Sequence, residues 1–449
     1  TSGGLSGGGE LIQLLAADGV TVVDEVSYLD ESPWPATPDG NGPSLELRDA
    51  TTDNALAANW GASIGGPTPG VVNSIVGVQE PEDITNITVD PSEVLPNQAF
   101  SISATIEGAT TANLVYKVMF GADQTVAMTN IGGDVWQGTL PGQDAGTLVR
   151  YRIESDVASA PSADEAINYL GLVVSPTDIV GNELPVFQFF VDQAQFEELT
   201  TTDLALTNTK IPAVVVYNGQ VIDNATVRVR GGDHSREFFP KKSLKFELPS
   251  GFAIDVGDEG SYPIDEFGIN ADFGDWSVVT PDISWDVFNN ETESFTTSFF
   301  TRVEMNGDFH GVFRFQELYD GAWRDANGLG DEDEFHKADA GGFGSTPKFD
   351  KKRPDDGDLT AITVLNDVLI ADASPAKTAY LYENVDIANV VNHMALSTLM
   401  RHDDQRVQNF YMVLDADTQL WSIVEWDLDR TWVVASDGDG GAFTTPLSI

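Results

Sequence analysis

The sequence predicts a multidomain protein in which two β-sandwich modules precede a larger α+β domain. The chain has 449 residues, which is too long for one hydrophobic core and suggests roughly two to four domains. Short segments with period-two alternation dominate the first part of the chain, whereas strand and helix periods are mixed further on. The predicted domains are residues 1–78, 79–176 and 177–449.

The first module consists of short strands between Gly-, Pro-, Asn- and Asp-rich turns, with clear alternation in TVVDEVSY and SLEL. It resembles the C-terminal half of a lamin-tail domain, an immunoglobulin-like sandwich. The opening half of such a domain has no counterpart, so we expect a fragment, a processed product or a sandwich completed by another chain's strand. Self-assembly through this incomplete sandwich follows as a prediction. The matching residues are Val23, Asp24, Val26, Tyr28, Trp34, Pro35, Asp39, Gly40, Gly42, Ser44, Leu45, Glu46, Leu47, Asn59, Trp60, Pro69, Gly70 and Asn73.

The second module follows the linker VQEPEDITN. Its alternating strands, such as AFSISATIEG and TLVRYRIESD, have the spacing of a small sandwich. The module resembles an immunoglobulin or fibronectin type III domain, and we interpret it as a spacer or docking module.

The charge and composition restrict the possible partners. Because 71 acidic residues face 23 basic ones, the formal charge is −48, which argues against binding nucleic acid or an anionic membrane surface. The sequence contains no apolar run of about 18 residues, so it predicts no membrane span. The chain lacks cysteine and begins without Met or a signal peptide, which fits a mature bacterial protein that is secreted or held at the cell surface.

The third region carries the residues with the clearest chemical potential. Seven of the ten lysines lie between residues 241 and 352. Within residues 225–248, alternation and a glycine turn predict a β-hairpin with cations at its mouth. Backbone N–H groups and a lysine there could hold phosphates, although an ordinary surface hairpin has the same pattern.

A second cluster occurs in RHDDQRVQNFYMVLDADTQLWSIVEWDLDRTW, residues 401–432. The preceding segment predicts an amphipathic helix capped by Asp386, whose apolar face consists of Ile387, Val390, Val391, Met394, Ala395 and Leu399. Two strands joined by DADTQ follow. Asp404 therefore lies on a loop, Asn409 comes five residues later, and Asp427 ends the hairpin. This order matches the catalytic Asp, the metal-binding Asn and the metal-binding Asp of protein kinases.

Several separated motifs resemble the CotH (spore-coat protein H) family of atypical secreted kinases, over roughly residues 184–432. This resemblance implies a kinase-like two-lobed fold that binds ATP with Mg²⁺ or Mn²⁺ and phosphorylates protein hydroxyls. The motifs are RVRG at 228–231, PKKS at 240–243, VEMNGDFHGVFRFQELYD at 303–320, HKAD at 336–339, Asp404, Asn409 and EWDLDRTW at 425–432.

The resemblance also implies roles for individual residues. Asp404 and Lys242 become catalytic residues, with Lys242 contacting phosphate and Lys245 as the alternative lysine. The metal ligands are Asn409 and Asp427, and Asp429 is either a second ligand or a loop cap. Glu317 pairs with the nucleotide-binding lysine or lies at the lobe junction. The remaining nucleotide-binding residues are Arg230, Gly231 and Gly232.

The chain departs from this family in two places. Its glycine turn, GGDHSREFF, is acidic and bulky where relatives are serine-rich, which predicts altered phosphate affinity. The chain also stops at TTPLSI, whereas relatives continue with further helices, so we expect either that the lower lobe is incomplete or that those helices come from a further piece.

The acidic loops at 38–42, 255–261, 330–334 and 436–441 offer oxygen ligands of the kind Ca²⁺ uses, with solvated turns as the alternative. Two other functions stay open. One is a surface structural or adhesion protein with an inactive kinase-like scaffold, and the other is a calcium-dependent polysaccharide or matrix binder. The predicted partner is accordingly a protein substrate or a surface-matrix component.

Overall fold

A computed structural model gives the fold as two compact units. The first runs through Val229 and includes Lys245–Ile254 and Thr301–Val312; the second contains Arg230–Leu244, Asp255–Phe300 and the chain from Phe313 onward. The structure describes residues 9–17, 21–29, 34–35, 38, 43–51, 53–64, 66–76, 84–162, 165–175, 184–256, 262–273, 277, 279–339, 341–344, 347–402, 405 and 408–432.

The N-terminal strands form two separate two-stranded antiparallel sheets. The strands are β1 (Glu10–Leu15), β2 (Val22–Tyr28), β3 (Leu45–Leu47) and β4 (Trp60–Ala62), paired β1–β2 and β3–β4. Beside β3, the buried Glu46 carboxylate accepts hydrogen bonds from the Ser74 N–H and hydroxyl, both at 2.7 Å, and from the Thr68 hydroxyl. This carboxylate ties together a segment with little apolar core of its own. The lamin-tail interpretation of this module remains a prediction.

Two sheets around one apolar core make up residues 84–174, as the alternation predicted. Their orders are β5-β6-β10-β9 and β12-β11-β7-β8, with β13 also paired to β11. In β6 every second side chain is buried, including Phe100 and Ile102, because successive residues of a strand face opposite sides. The strands are β5 (Ile84–Asp90), β6 (Phe100–Ile106), β7 (Ala112–Val118), β8 (Gln124–Ala127), β9 (Thr129–Gly132), β10 (Val135–Leu140), β11 (Leu148–Ser155), β12 (Ser159–Ala160) and β13 (Leu170–Val173).

The next seven strands form a closed barrel in the order β14-β15-β16-β17-β18-β20-β19. Helix α1 (Gln193–Thr201) follows β14, and Asp192 caps it by accepting a hydrogen bond from the Gln195 N–H at 3.0 Å. The strands are β14 (Val186–Val191), β15 (Ile211–Tyr217), β16 (Gln220–Arg230), β17 (Ser243–Glu247), β18 (Glu266–Asn270), β19 (Ser298–Met305) and β20 (Asp308–Glu317).

The second unit contains the remaining helices and a four-stranded sheet of order β22-β21-β23-β24. The helices are α2 (Asp233–Phe238), α3 (Thr280–Glu291), α4 (Gly321–Ala326), α5 (Thr360–Ile370), α6 (Pro375–Asn384) and α7 (Ile387–Leu399). The strands are β21 (Glu334–Ala338), β22 (Phe349–Arg353), β23 (Phe410–Leu414) and β24 (Trp421–Glu425). None of the described helices combines the length and apolar character of a membrane-spanning segment.

The prediction of a mostly β, multidomain protein with sandwich-like sheets is confirmed. The kinase-like two-lobed arrangement stays a prediction. The simple hairpin expected over residues 225–248 is wrong in one respect, because α2 lies between β16 and β17. Residues 233–239 contain no glycine or proline, and Gly232 occupies the N-cap position, so a helical turn forms instead of a tight turn.

Candidate functional site

The β23–β24 hairpin brings Asn409 and Asp427 together. Asn409 immediately precedes β23, and one residue separates Asp427 from the end of β24. Phe410 pairs with Glu425 across the two strands. The Trp426 N–H donates to the Asn409 carbonyl at 3.2 Å, and the Asn409 side-chain amide donates to the Asp427 carbonyl at 3.4 Å. Two residues 18 positions apart therefore lie at the same end of one hairpin.

Both residues have left-handed backbone conformations, with φ of 64° at Asn409 and 54° at Asp427. Asn and Asp enter this region more readily than other non-glycine residues, and such conformations concentrate at functional sites. Because the Asn409 Nδ2 faces the Asp427 carbonyl, the Oδ1 of the same amide is left as an acceptor. The amide and carboxylate oxygens are ligand types that Mg²⁺ and Mn²⁺ bind.

Two cations lie beside the aromatic rings of Tyr411 and of Trp426, the residue before Asp427. The Lys337 ammonium lies 5.3 Å from the Trp426 ring centroid and 5.9 Å from that of Tyr411, and the Arg230 guanidinium lies 5.9 Å from the Trp426 ring. Burial lowers the pKa of Lys337, and the Asp427 carboxylate opposes this effect. A poorly hydrated lysine beside a carboxylate is well suited to an anionic ligand that Asp427 helps to hold.

A buried ion pair between Arg314 and Asp272 carries the cation that offsets the charge of Asp427. Arg314 makes a two-point contact with Asp272, through Nε to Oδ2 at 2.7 Å and Nη2 to Oδ1 at 3.0 Å. Burial acts to lower the pKa of Arg314, but Asp272 and then Asp427 and Asp429 raise it. Arg314 therefore compensates part of the negative charge that collects around Asp427.

Arg230 is positioned by its hydrogen bond to Asn270 Oδ1 at 2.8 Å. It passes over Gly268, where an added Cβ would lie 1.8 Å from the Arg230 Nη1. Glycine at 268 is therefore needed for this arginine position, because any side chain would displace the guanidinium.

We expect Gly268→Ala to displace Arg230 and to lower the free energy of unfolding by about 1–3 kcal/mol, the contribution of a charged hydrogen bond. Urea unfolding measures the change. Gly321→Ala is the matched control, since its Cβ would meet nothing closer than 3.9 Å and alanine favours the helix. A Gly268→Ala variant as stable as the control would contradict the assigned packing.

The two candidate lysines occupy different environments. Lys242 Nζ donates to the carbonyls of Arg236 at 2.5 Å and Glu237 at 3.3 Å, where it satisfies the C-terminal end of α2. Lys245 Nζ lies 3.2 Å from the Glu247 carboxylate. Gly231, with φ of 114°, and Gly232 form the turn into α2. The nucleotide-binding roles of these residues remain predictions.

The remaining predicted residues are placed as follows. Glu317 is buried and accepts hydrogen bonds from the Tyr262 hydroxyl and, at 2.9 Å, from the Thr297 N–H; among the described residues it makes no lysine pair. Burial raises its pKa. Asp429 lies in the first turn of the 3-10 helix Leu428–Arg430, which follows Asp427. Asp404 and its neighbour Asp403 lie outside the described residues.

Of the acidic loops, only 330–334 lies wholly within the described residues. There the Asp333 carboxylate accepts hydrogen bonds from the Gly330 N–H at 2.7 Å and the Ala416 N–H at 2.8 Å, which is a structural role. In the part of the chain that the structure describes, no group of three or more His, Cys, Asp or Glu side chains is arranged to hold a metal ion. Calcium binding stays a prediction.

Three residues near Asp427 were not singled out individually from the sequence: Lys337, Arg314 and Asp272. Lys337 lies within the HKAD motif and Arg314 within the 303–320 motif, so the motifs contained a signal for both. The sequence contained no signal for Asp272, because it lies 42 positions from Arg314 and contacts it only in the folded chain.

Comparison with known proteins identifies the C-terminal region. Residues 227–446 match the model of the CotH kinase protein family. Inner spore coat protein H of Bacillus subtilis (strain 168) is 24% identical over 269 residues, which cover 56% of this chain and 70% of that protein. The CotH family predicted from the motifs is therefore confirmed for residues 227–446.

Solved structures give only weak likenesses. The cycloalternan-forming enzyme from Listeria monocytogenes is 13% identical, with a TM-score of 0.16 over 41% of this chain and 17% of that one. The cycloalternan-degrading enzyme from Trueperella pyogenes is 10% identical, with a TM-score of 0.17 over 52% of this chain and 30% of that one. The chain thus covers less than a third of either enzyme, and at these scores no shared fold follows.

Proposed function

We propose that the CotH domain is an atypical kinase that transfers the γ-phosphate of ATP to a protein hydroxyl with Mg²⁺ or Mn²⁺. The observation that carries this proposal is the meeting of Asn409 and Asp427 at one end of the hairpin, beside Lys337 and Arg230. Oxygen ligands next to cations are what a metal–triphosphate complex requires.

In this proposal Asn409 and Asp427 hold the metal, and Lys337 and Arg230 bind phosphate oxygens. A metal bound there would supply positive charge to offset the charge that develops on the transferred phosphoryl group. Arg314 keeps the acidic cluster from repelling itself by pairing with Asp272. Asp404, by its resemblance to the family, accepts the proton of the protein hydroxyl, and Lys242 or Lys245 provides a further phosphate contact.

We expect ATP with Mg²⁺ or Mn²⁺ to raise the melting temperature, because a ligand at ten times its Kd stabilises the folded state by about 1.4 kcal/mol. Asp427→Ala should abolish this shift and lower phosphoryl transfer by about a hundredfold or more. The measurements are thermal shift across ATP, Mg²⁺, Mn²⁺ and Ca²⁺, and phosphate transfer to a generic protein acceptor.

Two variants control for structural damage. Asp427→Asn keeps a residue that tolerates the left-handed conformation while removing the charge. Asp417→Ala lies in the turn at the other end of the same hairpin and should behave like the wild type. No nucleotide-dependent shift at millimolar ATP would exclude the kinase proposal. Calcium-dependent stability without an ATP effect would favour the matrix-binding alternative.

The proposed setting is outside the cell or at the cell surface. The acidic composition and the similarity to an inner spore coat protein of Bacillus subtilis support it. In this setting the β-rich modules before the CotH domain would position the enzyme on a protein substrate or a surface matrix.

A second candidate is a structural protein that assembles through its N-terminal hairpin, with an inactive kinase-like domain. The β1–β2 sheet exposes large apolar side chains, including Leu14 at 61% and Val23 at 62% exposure. An isolated two-stranded sheet is marginal in water, and exposed apolar strands pair readily with other strands. A second copy of this hairpin would cover the exposed apolar side chains and extend the two-stranded sheet.

Light scattering and sedimentation distinguish this candidate from the kinase. Leu14→Lys with Val23→Lys should abolish assembly, whereas Asp427→Ala should leave it unchanged. A chain that stays monomeric at high concentration would rule the candidate out.

A further inference from the structure

The first unit contains a polar cavity of about 240 Å³ that plays no part in the proposed kinase chemistry. Its volume is below the roughly 300–1,000 Å³ of pockets for drug-sized ligands, so it suits a small ion or acid. Lys117, Arg150 and Arg152 line it with a single carboxylate, Asp223, as well as Tyr169. Three cations thus line one cavity of a chain with a formal charge of −48.

The three cations gather around one aromatic ring. The Lys117 Nζ lies 4.0 Å from the Tyr169 ring centroid, and the guanidinium carbons of Arg152 and Arg150 lie 5.1 Å and 5.7 Å from it. Like charges at such a spacing repel, and the carboxylates of Asp123, Asp223 and Glu154, each paired with one of these cations, offset this repulsion.

Acidic neighbours fix these cations in place. Lys117 Nζ lies 3.2 Å from Asp123 Oδ1, and Arg152 Nη1 donates to the Tyr169 hydroxyl at 2.7 Å. The Tyr169 hydroxyl in turn donates to Asp123 at 2.8 Å. The cavity wall is therefore held by a connected network and does not consist of freely moving surface lysines.

Arg150 provides the observation that points to a ligand. The residue is only 8% exposed, and its guanidinium donates to Asp223 Oδ1 at 2.9 Å and to the Met119 carbonyl at 2.8 Å. A guanidinium has five N–H donors. Among the described residues Arg150 makes only these two hydrogen bonds, and its buried Nε has no acceptor. Unused donors of a buried cation cost stability, which an anion in the cavity would recover.

We propose that this cavity is a binding site for a small oxyanion: phosphate, sulfate or the carboxylate of an acidic sugar. Arginine presents paired donors that match the oxygens of such groups, and lysine adds a point charge. The site would let a strongly acidic protein bind an anionic ligand through its β-rich unit, independently of any kinase activity.

The test is calorimetric titration of the full chain with phosphate, sulfate, glucuronate and glucose at constant ionic strength. We expect saturable binding of at least one oxyanion and none of glucose. Lys117→Gln with Arg152→Gln should raise the Kd at least tenfold, and Lys117→Arg, which keeps the charge, should bind like the wild type. Lys210→Gln is the control, because Lys210 is also salt-bridged but lies outside the cavity.

The pattern of binding identifies the source of the anion. Phosphate or sulfate alone indicates a tetrahedral ion, and glucuronate indicates a carboxylate; both support the site. The proposal fails if no oxyanion binds saturably, if only glucose binds, or if the double variant binds as tightly as the Lys210→Gln control. Circular dichroism of each variant checks that it is folded, and the single Lys117→Gln substitution replaces the double variant if that variant unfolds.

Discussion

Replacing Arg314 with alanine is expected to destabilise the second unit by about 3–5 kcal/mol, a large part of the about 5–15 kcal/mol that stabilises a typical domain. The side chain is among the largest that are fully buried, at 2% exposure. Its loss leaves the Asp272 carboxylate, which is also buried, without its two-point partner. It also removes the cation that offsets Asp427 and Asp429.

Urea unfolding followed by a probe of the second unit measures this loss. Arg353→Ala is the matched control, since Arg353 is an exposed arginine at the end of β22, and its removal should change stability by less than about 0.5 kcal/mol. Arg314→Lys should recover only part of the loss, because lysine cannot reproduce the two-point contact.

A double replacement separates ion pairing from packing. Arg314→Met with Asp272→Asn removes both charges and keeps at position 272 a residue that tolerates its left-handed φ of 42°, so it should be more stable than Arg314→Ala alone. If Arg314→Ala costs less than about 1 kcal/mol, the ion pair does not support the acidic cluster in the way described.

The sequence predicted the local elements around the candidate site well. Helix α7, its Asp386 cap and the two strands of the hairpin are all found, with the cap accepting a hydrogen bond from the Asn389 N–H at 3.0 Å. These features depend on neighbours along the chain, such as capping residues, apolar periodicity and a turn. A single sequence contains that information directly.

The buried face of α7 could not be predicted in the same way. Of the residues that apolar periodicity placed inward, Ile387 and Val390 pack against the core, but Val391, Met394 and Leu399 are more than half exposed. His393 and Leu396 are buried instead. The face a helix buries is chosen by what packs against it, and here Phe288 of α3 contacts His393. The Arg314–Asp272 pair was missed for the same reason, since it joins residues 42 positions apart.

The buried His393 predicts a loss of stability in acid. Burial lowers its pKa to about 3, with a smaller contribution from His402, and neither ring nitrogen has a hydrogen-bond partner among the described residues. The folded state therefore holds the imidazole neutral, whereas the unfolded chain protonates near pH 6.5. As pH falls from 6.5 towards 3, the unfolded state binds a proton that the folded state does not, and the contribution of His393 to stability drops by up to about 1.4 kcal/mol per pH unit.

His393→Phe should remove this contribution, because phenylalanine has no proton to take up and suits contact with Phe288, so the slope of stability against pH should be lower than that of the wild type by up to about 1.4 kcal/mol per pH unit. Chemical unfolding at intervals between pH 4 and pH 7 gives the slope for each protein. His234→Phe is the control, since His234 is exposed and its removal should leave the slope unchanged. Equal slopes for wild type and His393→Phe would contradict a buried neutral imidazole.

The buried Glu425 predicts the opposite dependence of stability on pH. Burial raises the pKa of this carboxyl to about 7, and the Ser294 hydroxyl, at 3.0 Å, only partly compensates. The unfolded carboxyl ionises near pH 4.3, so between about pH 4.3 and 7 the folded state keeps a proton that the unfolded state loses, and stability falls as pH rises through this range. Because the His393 and Glu425 contributions have opposite slopes between about pH 4.3 and 6.5, they largely cancel in the wild type. Glu425→Gln alone should therefore reveal the His393 slope, His393→Phe alone the Glu425 slope, and the double variant should again give a nearly level profile.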